Sequence, residues 1–81
     1  NFEYIMKLKV DYIKIDASMI KDIDKNINSQ MVTETIIDFA RKMNIQTIAE
    51  FVHSQSVFDV VKEMGIDFAQ GYFFGKPQKL D

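Results

Sequence analysis

The stretch Lys42-Met43-Asn44-Ile45-Gln46-Thr47-Ile48-Ala49-Glu50 joins the pattern of a helix end to a short apolar run that stops at a carboxylate. Lys7–Asp16 and Glu63–Gln70 have the same pattern, which therefore occurs three times in 81 residues. Each apolar run has the length of a strand that is buried on both faces. The three predicted strands are Tyr12–Ile15, Ile45–Ala49 and Ile66–Ala69.

Helices are predicted between these strands. In Gln30–Met43 apolar residues recur at i, i+4, i+7, i+8 and i+11, which is one face of a helix with 3.6 residues per turn. That predicted face consists of Val32, Ile36, Phe39, Ala40 and Met43. Asn28 or Ser29 is the predicted N-cap, because a side-chain oxygen there can accept an otherwise unpaired amide.

A second helix is predicted over Ser54–Met64, with Ser54 as its N-cap and Gly65 as its stop signal. Phe2–Leu8 has the pattern of the end of an earlier helix, and residues 17–28 are predicted to form a loop held by apolar side chains. The order (α)-β-α-β-α-β, with helix-length crossovers, predicts parallel strands with right-handed connections. The fold class is therefore α/β, a parallel βαβαβ segment.

Polar side chains stand at the end of every predicted strand. In parallel α/β folds, binding and catalytic groups lie at the carboxyl ends of the strands, where the loops converge. Here that edge carries Lys14 and Asp16 from the first strand, Glu50 from the second and Gln70 from the third. A cation, an amide and carboxylates at one edge favour a functional site there. The alternative is that polar residues simply follow the apolar strands where these end.

The composition excludes several classes of protein. Ten Lys and Arg against 12 Asp and Glu give a net charge of −2, which argues against binding to a nucleic-acid polymer. No apolar run is long enough to span a bilayer. The absence of Cys excludes a disulfide framework and a thiolate zinc site, and the single His excludes a His-based metal cage within the chain. A cytoplasmic location is expected, although a parent protein could carry a membrane anchor.

Three segments of the chain carry recognisable motifs: Val10–Asp16, Thr47–His53 and Gln70–Pro77. They resemble motifs of EAL domains, the cyclic di-GMP phosphodiesterases. Val10–Asp16 is similar to their V-D-x-[IL]-K-I-D segment, and Thr47–His53 to their [TV]-[IV]-A-E-G-V-E segment. Gln70–Pro77 matches Q-G-Y-x-[FY]-x-[KR]-P. The order and the intervals also fit, so the resemblance covers nearly the whole chain.

The resemblance implies a TIM-type (β/α)₈ barrel, of which this chain is the C-terminal third or so. A complete barrel needs about 250 residues. Residues 1–81 are accordingly expected to be the C-terminal fragment of a single EAL domain, its last three βα units with the N-terminal part absent. Most of the metal ligands of the family would lie in that missing part, so the fragment alone is expected to be inactive.

The resemblance also implies roles for the strand-end residues. In the family, divalent ions (Mg²⁺ or Mn²⁺) activate a water that converts cyclic di-GMP to linear pGpG. Glu50 is expected to be a metal ligand and general base, and Lys14 to lie near the water and the phosphate or, alternatively, to form a salt bridge with Asp16 or Glu50. Gln70 would orient groups within the metal–water shell. Asp16 is expected in the same shell, where it would hold Lys14 or a loop amide or, alternatively, take a direct part in the chemistry. Tyr72, Phe73, Phe74 and Pro77 would form a wall beside the substrate, or belong to the core.

Two departures from the family pattern leave a second function open. Phe51 replaces the usual Gly after the A-E pair, at some cost in backbone freedom. His53 replaces a second Glu, and an exposed or helix-capping imidazole is favoured over a metal ligand. The alternatives are a catalytically degenerate EAL domain that binds cyclic di-GMP or a protein partner, and an independent small α/β domain. Expected partners are cyclic di-GMP, a second copy paired through open barrel edges or a dimer of the parent, and a fused GGDEF or sensory domain.

Overall fold

The structure of the protein, a computed structural model, describes residues 12–71 and 78–80. Its four-stranded sheet has the order β1-β2-β3-β4. The strands are β1 (Tyr12–Ile15), β2 (Gln46–Ala49), β3 (Phe68–Ala69) and β4 (Gln78–Lys79). β1 pairs with β2 and β2 with β3 in parallel, as predicted, although β2 and β3 begin later than expected.

β4 is a strand that the sequence analysis did not predict. It runs antiparallel to β3, with Phe68 opposite Lys79 and Ala69 opposite Gln78. The expectation that both sheet edges are open is therefore wrong at β3, whose outer edge β4 covers. Both residues of β4 are exposed and polar. The strand is therefore formed by backbone pairing, and it has no apolar pattern from which it could be predicted.

Three helices occur in the described part of the chain: α1 (Ala17–Ile20), α2 (Ile27–Lys42) and α3 (Gln55–Met64). The prediction of a loop over residues 17–28 missed α1, a single turn. It also missed the first residues of α2, because the N-cap is Asn26 and not Asn28 or Ser29. The Asn26 side-chain oxygen accepts the Ser29 amide at 3.1 Å, which satisfies one of the unpaired donors of the first turn.

The predicted boundaries of α3 are confirmed. The Ser54 hydroxyl accepts the Val57 amide at 3.2 Å, and the helix ends at Gly65 with a left-handed φ of 91°. Gly takes this conformation without the steric cost that a Cβ atom would add. Among residues 12–71 and 78–80, no helix is long and apolar enough to cross a membrane.

The buried face of α2 is rotated relative to the prediction. Thr33, Ile37 and Ala40 are the buried residues, whereas Val32 is 46% exposed. The prediction counted only apolar residues, so it could not place Thr33 at the centre of the packed face. Of the predicted face, Ala40 is buried, whereas Ile36, Phe39 and Met43 are half-buried.

One apolar cluster holds the helices against the sheet. Its strand members are Ile15, Ala49 and Ala69, which occupy the same level of three neighbouring strands. The other members are Ile20, Ile23, Ile37, Val52, Val57, Val61 and Ile66. Because strand side chains alternate between faces, Lys14 is exposed while the adjacent Ile15 is buried. The core therefore lies under the strands and directly beneath the ends where the polar residues stand.

Candidate functional site at the carboxyl ends of the strands

The strand pairing continues past the strands and brings the predicted residues to one edge. The Glu50 amide donates to the Ile15 carbonyl at 3.1 Å, and the Gln70 amide donates to the Ala49 carbonyl at 2.9 Å. Glu50 and Gln70 are thus neighbours, and Lys14 precedes them on the adjoining strand. Neighbouring strands lie about 4.8 Å apart, so Glu50 and Gln70 are one strand spacing from each other. Lys14 lies opposite Ile48, two residues before Glu50, and alternate residues of a strand share one face of the sheet.

Gln70 carries an unsatisfied acceptor. Its side chain is half-buried, and its Oε1 atom is buried without a hydrogen-bond partner in the described structure. A buried acceptor without a partner costs about 1–3 kcal/mol, so such an atom calls for a water, an ion or a ligand. The backbone of Gln70 is held on both sides, because its carbonyl also accepts the Val52 amide at 3.0 Å.

The donor set suits a hard divalent cation only in part. Glu50 supplies a half-buried carboxylate, and Gln70 supplies the unpaired amide oxygen, both of which are oxygen donors that Mg²⁺ accepts. In the described ranges 12–71 and 78–80, no three His, Cys, Asp or Glu side chains cluster to hold a metal. A complete metal site at this edge would need ligands from residues other than those described.

Asp16 is occupied by its own loop. Its carboxylate caps α1, accepting the Ser18 amide at 2.9 Å and the Ser18 hydroxyl at 2.6 Å. These hydrogen bonds hold the pKa of Asp16 below its ordinary value of 3.8. The Asp16 side chain therefore holds a loop amide, which was one of the two predicted alternatives to direct chemistry.

The depressed pKa predicts a pH-dependent contribution to stability. Because the carboxylate is favoured in the folded state, its contribution is complete above the unfolded pKa and is lost as the pH falls through the folded pKa. Asp16→Ala is expected to lower the melting temperature at pH 7, and the difference from the unmodified protein should shrink below about pH 4. Thermal melts from pH 7 to pH 2.5 measure this. A difference that is constant over that range would contradict the role of the carboxylate charge.

Gly71 permits a close approach between two backbone segments at this edge. A Cβ atom at Gly71 would lie 2.5 Å from the Val52 nitrogen and 2.6 Å from the Val52 oxygen. Any side chain would therefore push the end of β3 away from the loop that follows Glu50. The sequence analysis assigned no role to Gly71; the only signal was a Gly directly after a strand-terminal polar residue.

The two residues that depart from the family pattern lie in the loop after Glu50. Phe51 has a left-handed φ of 62°, which confirms the expected backbone cost of a side chain at this position. Its exposed ring lies 4.9 Å from the His53 ring. His53 Nε2 donates to the Lys21 carbonyl at 2.9 Å, at the end of α1, which agrees with the predicted helix-capping imidazole.

The predicted substrate wall consists of four residues that follow Gly71. Tyr72, Phe73, Phe74 and Pro77 lie outside the described residues. The structure places Glu50 and Gln70 side by side after β2 and β3 and Lys14 on the adjoining strand β1, whereas the Asp16 carboxylate caps α1.

Comparison with known proteins identifies one family. The EAL domain model matches residues 1–77. The chain is 40% identical to the cyclic di-GMP phosphodiesterase PdeB of Shewanella oneidensis, over 99% of this chain and 9% of that protein. It is 36% identical to the probable cyclic di-GMP phosphodiesterase PdeA of Escherichia coli, over 99% of this chain and 11% of that protein. The chain thus spans about a tenth of the length of these relatives.

Solved structures agree with this assignment. The EAL enzyme Bd1971, in its cGMP-bound form, superposes with a TM-score of 0.85 at 32% identity, over 99% of this chain and 22% of that one. A standalone EAL protein from Vibrio cholerae, solved with cyclic di-GMP bound, superposes with a TM-score of 0.77 at 31% identity, over 83% and 28%. The predicted fold class, α/β of the TIM-barrel type, is confirmed. The chain therefore belongs to the EAL domain family.

Proposed function

We propose that this chain is the C-terminal part of an EAL domain that hydrolyses cyclic di-GMP to linear pGpG with a divalent metal ion, Mg²⁺ or Mn²⁺. The observation that carries the proposal is that Lys14, Glu50 and Gln70 stand at or near the carboxyl ends of three neighbouring strands, with the Gln70 Oε1 atom unpaired among the described residues. The named relatives support the substrate, because two of them are cyclic di-GMP phosphodiesterases, one of these by probable assignment.

Each of the three strand-end residues has its own role in the proposed reaction. When bound, a divalent ion neutralises the phosphate and lowers the pKa of a coordinated water. Glu50 would hold that ion and accept the proton of the attacking water, while the exposed Lys14 ammonium compensates the charge on the phosphate. The Gln70 amide would orient the water through its unpaired oxygen. One P–O bond forms from the water, one P–O ester bond breaks, and the departing oxygen takes up a proton.

A degenerate domain that only binds cyclic di-GMP is the second candidate. Phe51 and His53 favour it, since both replace residues of the family motif directly after Glu50. Such a receptor would bind the dinucleotide without cleaving it, so the formation of pGpG distinguishes the two candidates.

Hydrolysis by the complete protein that carries these residues tests the proposal. We expect pGpG to form from cyclic di-GMP when Mg²⁺ or Mn²⁺ is added, and no product when a chelator is present. Retained binding without product would establish the receptor function instead. The 81-residue piece alone is expected to show no turnover, because the remaining ligands would come from the rest of the domain.

Several wider assignments belong to the same proposal. The outer edge of β1 has no partner among the described strands, which supports self-association of the isolated piece through this edge. In the complete protein we place the domain in the cytoplasm, where its substrate acts as a second messenger. Dimerisation of the parent and a fused GGDEF or sensory domain complete the proposed arrangement.

A further inference from the structure

Two side-chain contacts, named here the inter-loop link, join the segment between α1 and α2 to the loop after β2 and the first turn of α3. His53 Nε2 donates to the Lys21 carbonyl at 2.9 Å, and the Ser56 hydroxyl donates to the Asp24 carboxylate. Each contact joins residues that are 32 positions apart in the sequence. The link therefore connects the chain segment that follows Lys14 to the segment that follows Glu50.

The backbone between Glu50 and His53 is held in place by contacts along its length. The Glu50 amide is bonded to Ile15, and the Val52 amide is bonded to Gln70. Phe51 is held in the left-handed region at a φ of 62°, and Val52 is fully buried against Gly71. A non-Gly residue in this region persists only where the surrounding structure imposes it. His53 is the point at which this path is attached to the neighbouring loop.

We propose that His53 is a positioning residue for the reaction at the strand ends: it holds the loop after Glu50 against the loop after Lys14 and so keeps the two side chains in register. The inference rests on the proposed phosphodiesterase function. His53 itself does not touch the reacting atoms. A displacement of about 1 Å in a reacting group can cost about a hundredfold in rate, so a link of this kind is expected to act on kcat.

The chemistry of the bond decides which residues can replace His53. A carbonyl oxygen only accepts, so Nε2 must carry the hydrogen. Gln offers an amide N–H at a similar reach, whereas Ala offers no donor and the carboxylate of Glu would face the Lys21 carbonyl with a negative charge. His53→Gln should therefore preserve the link, and His53→Ala and His53→Glu should break it.

Steady-state hydrolysis of cyclic di-GMP by the complete protein tests the proposal. We expect His53→Ala to lower kcat by about tenfold or more with KM within about twofold, and His53→Gln to restore kcat to within about threefold. The matched control is Gln30→Ala, which removes another side-chain bond to the same connecting segment, the Gln30 Nε2 bond to the Ile23 carbonyl at 2.7 Å. This control should leave kcat unchanged.

Hydrogen exchange in the same proteins separates this inference from the proposed function. We expect His53→Ala, but not His53→Gln or Gln30→Ala, to lower the protection of the Glu50 and Val52 amides. Equal kcat and equal protection in His53→Ala and the unmodified protein would overturn the positioning role, as would a His53→Gln variant as impaired as His53→Ala. A complete protein without hydrolysis overturns the phosphodiesterase function alone, and the exchange measurement then decides whether His53 holds the loop.

Discussion

Glu50→Ala in the complete protein is expected to lower the rate of cyclic di-GMP hydrolysis by about 10²–10⁴, the range typical for removal of a general base. Glu50 is the carboxylate at the end of β2, held between Ile15 and the β3 end by the backbone ladder. Among residues 12–71 and 78–80, the other carboxylate that follows a strand at this edge is Asp16, which accepts hydrogen bonds from Ser18. The rate of pGpG formation under saturating substrate measures the effect.

Glu63→Ala is the matched control for this prediction. Glu63 is an exposed carboxylate in the last turn of α3, at the opposite end of the layer from the strand-end site. Its removal makes the same change in charge and is expected to leave hydrolysis within about twofold of the unmodified rate. Equal rates for Glu50→Ala and the unmodified protein would refute the assignment of Glu50 as base and ligand.

Gly71→Ala is expected to lower the free energy of unfolding by about 1–3 kcal/mol, the usual cost of forcing an extra group into a packed site. The new Cβ atom would meet the Val52 nitrogen and oxygen at 2.5 and 2.6 Å. These are backbone atoms, and the nitrogen is bonded to the Gln70 carbonyl, so they cannot rotate away. Because the clash lies beside Gln70, hydrolysis should fall as well, even at temperatures where the variant is folded.

Gly65→Ala is the control for Gly71→Ala, because it replaces a Gly that does not approach another backbone segment. At Gly65 the new Cβ atom would lie 2.5 Å from Arg41 Nη2, which is the far end of a flexible, exposed side chain. The remaining cost is that of the left-handed φ of 91°, about 1–2 kcal/mol. Gly65→Ala should therefore be destabilised while its kcat stays unchanged. A Gly71→Ala variant that matches the unmodified protein in both stability and kcat would contradict the role assigned to Gly71.

Local rules explain most of what could be predicted about the fold. The lengths of the apolar runs predicted the three parallel strands, and the short-range preferences of Ser54 and Gly65 predicted both ends of α3. The prediction failed where a feature has no local pattern. Thr33 lies at the centre of a buried face although it is polar, and β4 is a pair of exposed residues stabilised by backbone bonds to β3.

For the site, the sequence by itself determined which residues stand at the ends of the strands, since strand length and alternation depend on neighbouring residues alone. Only the tertiary structure decided that Asp16 caps α1, that the Gln70 Oε1 atom has no partner within residues 12–71 and 78–80, and that His53 reaches the Lys21 carbonyl. The His53 contact joins residues 32 positions apart, and the Gly71 approach brings two loops together through backbone atoms. Such contacts depend on how the strands are packed side by side, which no periodicity in a single stretch of chain can encode.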